Sequence, residues 1–200
     1  ARVMGLPLAI LVFAAFTFKA KKNDSVYHGK KITVVIDAGH GGQDAGVKSA
    51  DGIFEKDLNL AIVKKIKEIN SNDAIEIILT RDKDVYSSVK EKADFTKEKN
   101  ADLFISIHVD ASPKSNTKSG LHIWVVKDQF GNAIQSKILA SALITQFSGN
   151  YPLPVENALM QREQGIRTLQ ANNIPSVLIE AGFINNDKDL AYLKTDKAKE

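Results

Sequence analysis

The chain has 200 residues, 44% of them hydrophobic, and no cysteine. That is enough for one domain with a proper core, and it excludes disulfides and thiolate metal sites, so a metal would need histidine and carboxylate ligands. The formal net charge of +3 sits at one end: residues 1–31 hold six of the 27 basic and one of the 24 acidic residues, leaving 21 against 23 and no basic face for nucleic acid.

Residues 3–18, VMGLPLAILVFAAFTF, carry no charge. Sixteen residues fall just short of the ~20 that span a bilayer. Arg2 precedes the run and Lys19, Lys21 and Lys22 follow it. Residues 1–18 read as a signal-like segment, a single membrane anchor or the last span of a larger membrane protein; a signal peptide usually puts its positive charges before the apolar run, which favours an anchor. The positive-inside rule would place those lysines in the cytoplasm. Residues 19–31 read as a polar, basic linker in which His28 is simply solvated. The chain begins at Ala1 rather than Met and stops soon after its last expected helix, so it reads as a piece of a longer protein.

KITVVIDAG reads as a buried strand, short and β-branched. EKDLNLAIVKKIKEIN reads as an amphipathic helix with Leu58, Ala61, Ile62, Ile66 and Ile69 on one side and Glu55 and Asp57 where the helix dipole favours them. AIEIILT is the next strand, SSVKEKADFTKEKN a more polar helix, and ADLFISIHVD another buried strand. GLHIWVV alternates and reads as half exposed. NAIQSKILASALITQF is a long helix, PSVLIEAGF a last buried strand, and NDKDLAYLK a last helix. Alternating strands and helices predict a single α/β domain over 32–200, with a mostly parallel twisted sheet covered by helices on both faces. The loop VDASPKSNTKSG is long enough to be functional.

In such a sheet the ligand crevice lies beyond the carboxyl ends of the strands. His40 follows the first strand, His108 ends LFISIH, Glu180 ends SVLIE, and Glu55 heads the helix delivered to the same edge. Each has a plainer reading alone: a hydrogen-bonded histidine, or a helix-dipole carboxylate. Glu180 resists it most, because a bare carboxylate closing an apolar strand costs several kcal/mol. Together the four match a catalytic zinc, which takes three protein ligands and leaves a carboxylate to accept a proton from water. The glycines around His40 allow a sharp turn off the strand. GHGGQDAG lacks the Lys-Ser/Thr ending of a phosphate-binding P-loop and does not give GxGxxG running into a helix. Asp37, three residues before His40, is expected to orient a ligand imidazole. His122 reads as a sheet-face residue.

VVIDAGHGGQDAG, EKDLNLAIVKKI, ILTR, ADLFISIHVDA, SGLHIWV and IPSVLIEAGFINN, in this order over residues 32–194, resemble the zinc-dependent N-acetylmuramoyl-L-alanine amidases. The resemblance implies a peptidoglycan hydrolase of the cell envelope, acting as a monomeric catalytic domain, which the apolar run at 3–18 would anchor. It implies zinc bound by His40, Glu55 and His108, and Glu180 as the catalytic carboxylate. Arg81, ending ILTR, matches the family pattern as a substrate-carboxylate binder or, preferably, a structural ion pair. Asp110 stands where relatives often have Asn and alters the polarity of the groove. QREQGIRTLQANNIP is shorter than in many relatives, no long blocking insert is evident, residues 150–165 have room for a small flap, and the family's final helix is expected to be cut short at Glu200. Two other functions compete: a zinc carboxypeptidase on a related sheet, and a non-catalytic wall-binding or sensing module of a membrane protein.

Overall fold

The computed structural model describes residues 29–113 and 116–196. The expected anchor over 3–18 lies outside them. Among the described residues no helix is long and apolar enough to cross a membrane.

The elements follow in the expected order: β1 (Ile32–Ala38), α1 (Glu55–Ile69), β2 (Ile75–Leu79), α2 (Val89–Glu98), β3 (Leu103–Asp110), β4 (His122–Val125), α3 (Ala133–Asn150), α4 (Arg167–Gln170), β5 (Ser176–Phe183) and α5 (Asp187–Leu193). The sheet order is β2-β1-β3-β5-β4. The first four strands run parallel and β4 pairs antiparallel with β5.

Strand alternation divides the core. Val34, Ile36, Leu103, Ile105, Val177 and Ile179 pack against Leu58, Ile62 and Val63 of α1, Leu139 and Leu143 of α3, and Leu193 of α5. Val35, Phe104 and Leu178 point the other way, towards Phe95 of α2 and Leu169 of α4. Helices thus cover both faces, as parallel strands require. Helix α2 opens with a capping box, in which Ser88 and Glu91 satisfy each other's backbone donors. Ile69, at the end of α1, is 42% exposed instead of continuing the apolar stripe.

One expectation is corrected and one element added. β4 is mostly buried, not half exposed. Its outer edge is bridged by the chain at Val155 and Met160, with Leu121, Val125, Glu156 and Met160 donating backbone hydrogen bonds across it. That covers an edge that would otherwise be open. The one-turn α4 is an addition, because a single turn carries too little periodicity to be read.

Candidate active site

β-Sheet register builds half of the site. His108 on β3 pairs with Glu180 on β5, and Glu180 pairs with His122 on β4. Three neighbouring strands therefore set these side chains in one row, at roughly the 4.8 Å strand spacing. The row lies on the sheet face opposite the buried stripe of α3, at the carboxyl ends of β3 and β5.

The other half comes from the β1–α1 loop. His40 has φ 61°, a left-handed conformation that strains a residue with a Cβ and so marks a functional constraint. Two glycines make room for it. A Cβ on Gly39 would stand 2.3 Å from the His108 ring, and one on Gly46 would stand 2.5 Å from Glu55 Oε2. Glu55 is the first residue of α1, and its carboxylate turns away from the helix axis into the loop.

These elements bring His40, Glu55 and His108 together. His40 Nε2 lies 3.1 Å from Glu55 Oε2, and His108 Nδ1 lies 2.9 Å from Glu55 Oε1. The three donor atoms all lie within 4.8 Å of one another. Ligands on one tetrahedral zinc at ~2.1 Å stand roughly 3.3 Å apart, so the donor set and its spacing fit that ion. Burial pushes the Glu55 carboxyl up, but hydrogen bonds and charge from His108 and His40 overcome it and hold it well below the usual carboxylate range. Burial disfavours a charged His40, yet Glu55 and Asp44 outweigh it and raise its pKa.

The carboxylate in contact with the His40 imidazole is Asp44, not Asp37. Asp44 Oδ2 sits 2.8 Å from His40 Nδ1, on the side of the ring away from Glu55. Its Oδ1 accepts from the Gly46 N–H at 3.2 Å. Asp37 accepts from Thr80, Ser106 and Lys92, with no hydrogen bond to His40 or His108 among the described residues. The register explains this: Asp37 pairs with Ser106, one row short of His108. No pattern in the sequence separates Asp44 from Asp37 as the neighbour of His40.

Among the described residues Arg81 makes no ion pair, the role preferred for it from the sequence. It is 4% exposed and clamps backbone carbonyls. Nε donates to Ala38 O at 3.0 Å, and Nη2 to Gly39 O at 3.0 Å and Lys56 O at 2.8 Å. The strained loop and the start of α1 are thereby tied to the end of β2.

Glu180 is 4% exposed, and its Oε2 has no hydrogen-bond partner among the described residues. Oε1 lies 3.5 Å from Arg162 Nη2, whose guanidinium sits over the Trp124 ring at 4.6 Å. Burial, reinforced by the charges of Asp110 and Glu55, pushes the Glu180 carboxyl well above its ordinary value, with Arg162 opposing. Asp110 Oδ2 lies 3.2 Å from His122 Nε2. Both line a cavity of about 400 Å³ walled by Leu121, Trp124, Val155 and Met160. The segment expected to form a flap is thus a groove wall. Nothing in the sequence pointed to Arg162.

The comparisons with known proteins bear on this geometry. The N-acetylmuramoyl-L-alanine amidase family model matches residues 34–200. The chain is 34% identical to the endolysin of Bacillus phage SPP1 over 82% of its own length and 59% of the endolysin's. It is 32% identical to the N-acetylmuramoyl-L-alanine amidase LytC of Bacillus subtilis over 81% of this chain and 31% of LytC. The crystal structure of an N-acetylmuramoyl-L-alanine amidase from Clostridium difficile 630 superposes with a TM-score of 0.75, at 30% identity, over 86% of this chain and 90% of that one. Since the match runs through every element that carries the site, the chain belongs to the N-acetylmuramoyl-L-alanine amidase family of peptidoglycan hydrolases.

Proposed function

We propose that this chain hydrolyses the amide joining N-acetylmuramic acid to the L-alanine of the peptidoglycan stem peptide, with zinc held by His40, Glu55 and His108. The observation that carries the reading is the placement of Glu180 one strand from His108, beside a donor set that fits zinc. Zinc, when bound, supplies net positive charge for the oxyanion developing on the scissile carbonyl and acidifies water towards pKa ~7. Glu180 takes the proton of the attacking water and passes it to the leaving amine of L-alanine. A carboxyl raised by burial is suited to both steps, since acid–base efficiency peaks when the pKa lies near the working pH. Asp44 fixes the His40 ring, and Arg81 fixes the loop that carries it. The cavity beside His122 gives the substrate a bed along β4. The enzyme acts in the cell envelope, where its substrate lies, with residues 3–18 as its membrane tether.

The test pairs metal analysis with muropeptide analysis for the wild type and Glu180→Ala. The wild type releases intact stem peptides from the glycan. Glu180→Ala retains zinc and loses hydrolysis by a factor of about 10²–10⁴, the usual contribution of a positioned acid–base residue. Release of terminal residues alone marks a carboxypeptidase, and wall binding without release marks a non-catalytic module. Near wild-type hydrolysis by Glu180→Ala refutes the assigned mechanism.

A further inference from the structure

A second set of donors stands on the same sheet edge as the first. Asp110 follows a register shift at the end of β3, and the shift aims its carboxylate across β5 towards β4. There Asp110 Oδ2 meets His122 Nε2 at 3.2 Å. One donor atom each from Asp110, His122 and Glu180 lie within 4.8 Å of one another.

Two features show that this group is under-satisfied. Glu180 is 4% exposed, yet among the described residues its Oε2 accepts no hydrogen bond. A buried carboxylate oxygen left bare is costly and calls for an explanation. Arg162 lies 3.5 Å from Oε1, at the limit of a hydrogen bond, and Lys118 lines the same cavity as Asp110 and His122. The Arg162 side chain is 38% exposed and supported from below by Trp124. Of the two carboxylates, Asp110 is in contact with the imidazole of His122 and Glu180 with one loosely held guanidinium.

We propose that Asp110, His122 and Glu180 form a second, weaker site for a divalent transition cation, filled by zinc when zinc is in excess. One imidazole and two carboxylates are a suitable donor set for zinc, less rich in imidazole than the first. The site is the weaker of the two because an entering ion must displace Arg162 and open the Asp110–His122 contact. An ion there engages the carboxylate that catalysis needs as proton acceptor, so excess zinc inhibits. Only that effect on rate rests on the role proposed for Glu180; the binding does not.

The experiment titrates metal-free protein with zinc by calorimetry and counts bound zinc after equilibrium dialysis. The wild type binds two ions per chain, the second at least tenfold more weakly. His122→Ala binds one. Asp110→Asn, which keeps the side-chain shape, also binds one and serves if His122→Ala misfolds. Arg162→Ala, which removes the competing cation, tightens the second site. Hydrolysis by the wild type falls as zinc rises through the range of the second site. A single zinc at saturation in the wild type, or two in either variant, overturns the proposal. If that single zinc disappears in His40→Ala, the primary site stands while the second falls; if the wild type binds none, both fall.

Discussion

Asp37→Asn tests how the fold carries the site. The Asp37 side chain is 1% exposed at the end of β1, and Lys92 Nζ lies 2.9 Å from its Oδ1. Thr80 Oγ1 donates to it at 2.7 Å and Ser106 Oγ at 2.8 Å. The Lys92 side chain is itself 8% exposed, so the substitution leaves a buried ammonium without its counter-charge. Removing one partner of a buried pair costs about 3–5 kcal/mol. Asn keeps the shape and one accepting oxygen, which puts the loss near the lower end, about 3 kcal/mol. Adding Lys92→Met removes the stranded charge and recovers at least ~1 kcal/mol of that loss.

Urea unfolding of both variants between pH 7 and pH 3 reads the effect. Burial pushes the Asp37 carboxyl up, but the charge and hydrogen bond of Lys92, with the hydrogen bond of Thr80, overcome it. Its folded pKa therefore lies below the ordinary 3.8. A depressed carboxyl adds stability above its unfolded pKa and loses it as pH falls through the folded one. The gap between wild type and Asp37→Asn thus stays constant from pH 7 to about 5 and narrows below about 4. A gap under about 1 kcal/mol at pH 7, or one that does not narrow in acid, refutes the reasoning.

Asp44→Asn weakens zinc binding by about 10–100-fold, measured by chelator competition, because it loosens the His40 ring without removing a ligand. Arg81→Ala strips hydrogen bonds from the carbonyls of Ala38, Gly39 and Lys56 and lowers stability by about 2–4 kcal/mol in thermal unfolding. Gly39→Ala drives a methyl group into the His108 ring and reduces zinc affinity more than tenfold, with far-ultraviolet circular dichroism unchanged.

Most elements were legible because their patterns are local. The β-branched run of β1 and the three- and four-residue spacing of α1 arise within a dozen residues. What was not legible came from distant chain. β4 alternates like a half-exposed strand, and only residues 154–160 arriving along its edge bury it. Asp37 and Asp44 flank His40 at similar distances in sequence, and only the β1–β3 register assigns one to Lys92 while the loop gives the other to His40. Lys92 lies on a helix that reads as polar, so nothing nearby announced that it turns inward to Asp37. Arg81 looked like half of an ion pair because a lone arginine in sequence suggests a charged partner; its actual partners are backbone carbonyls, which no residue pattern displays. The four candidate side chains could be singled out together because each lies at or beside the end of an element, on the one edge where their separate structural readings leave the set unexplained.

The site divides into halves of unequal stiffness. His108 and Glu180 sit on central strands whose positions are fixed by register, so displacing them means disrupting the sheet. His40 depends on a left-handed backbone held by Arg81, Asp44 and the space at Gly39 and Gly46. That half can relax without unfolding the domain, because local opening needs only the loop's own contacts to break. In the metal-free molecule the raised pKa of His40 and the lowered pKa of Glu55 favour an ion pair across this seam. A metal must displace the proton from that pair, so its affinity falls as pH falls. Metal affinity is consequently the sensitive readout for the loop, and global stability the readout for the sheet. A variant that moves both together has damaged a part that joins them, such as β1, which pairs with β3 and leads into the loop, or Arg81, which ties the loop to the end of β2.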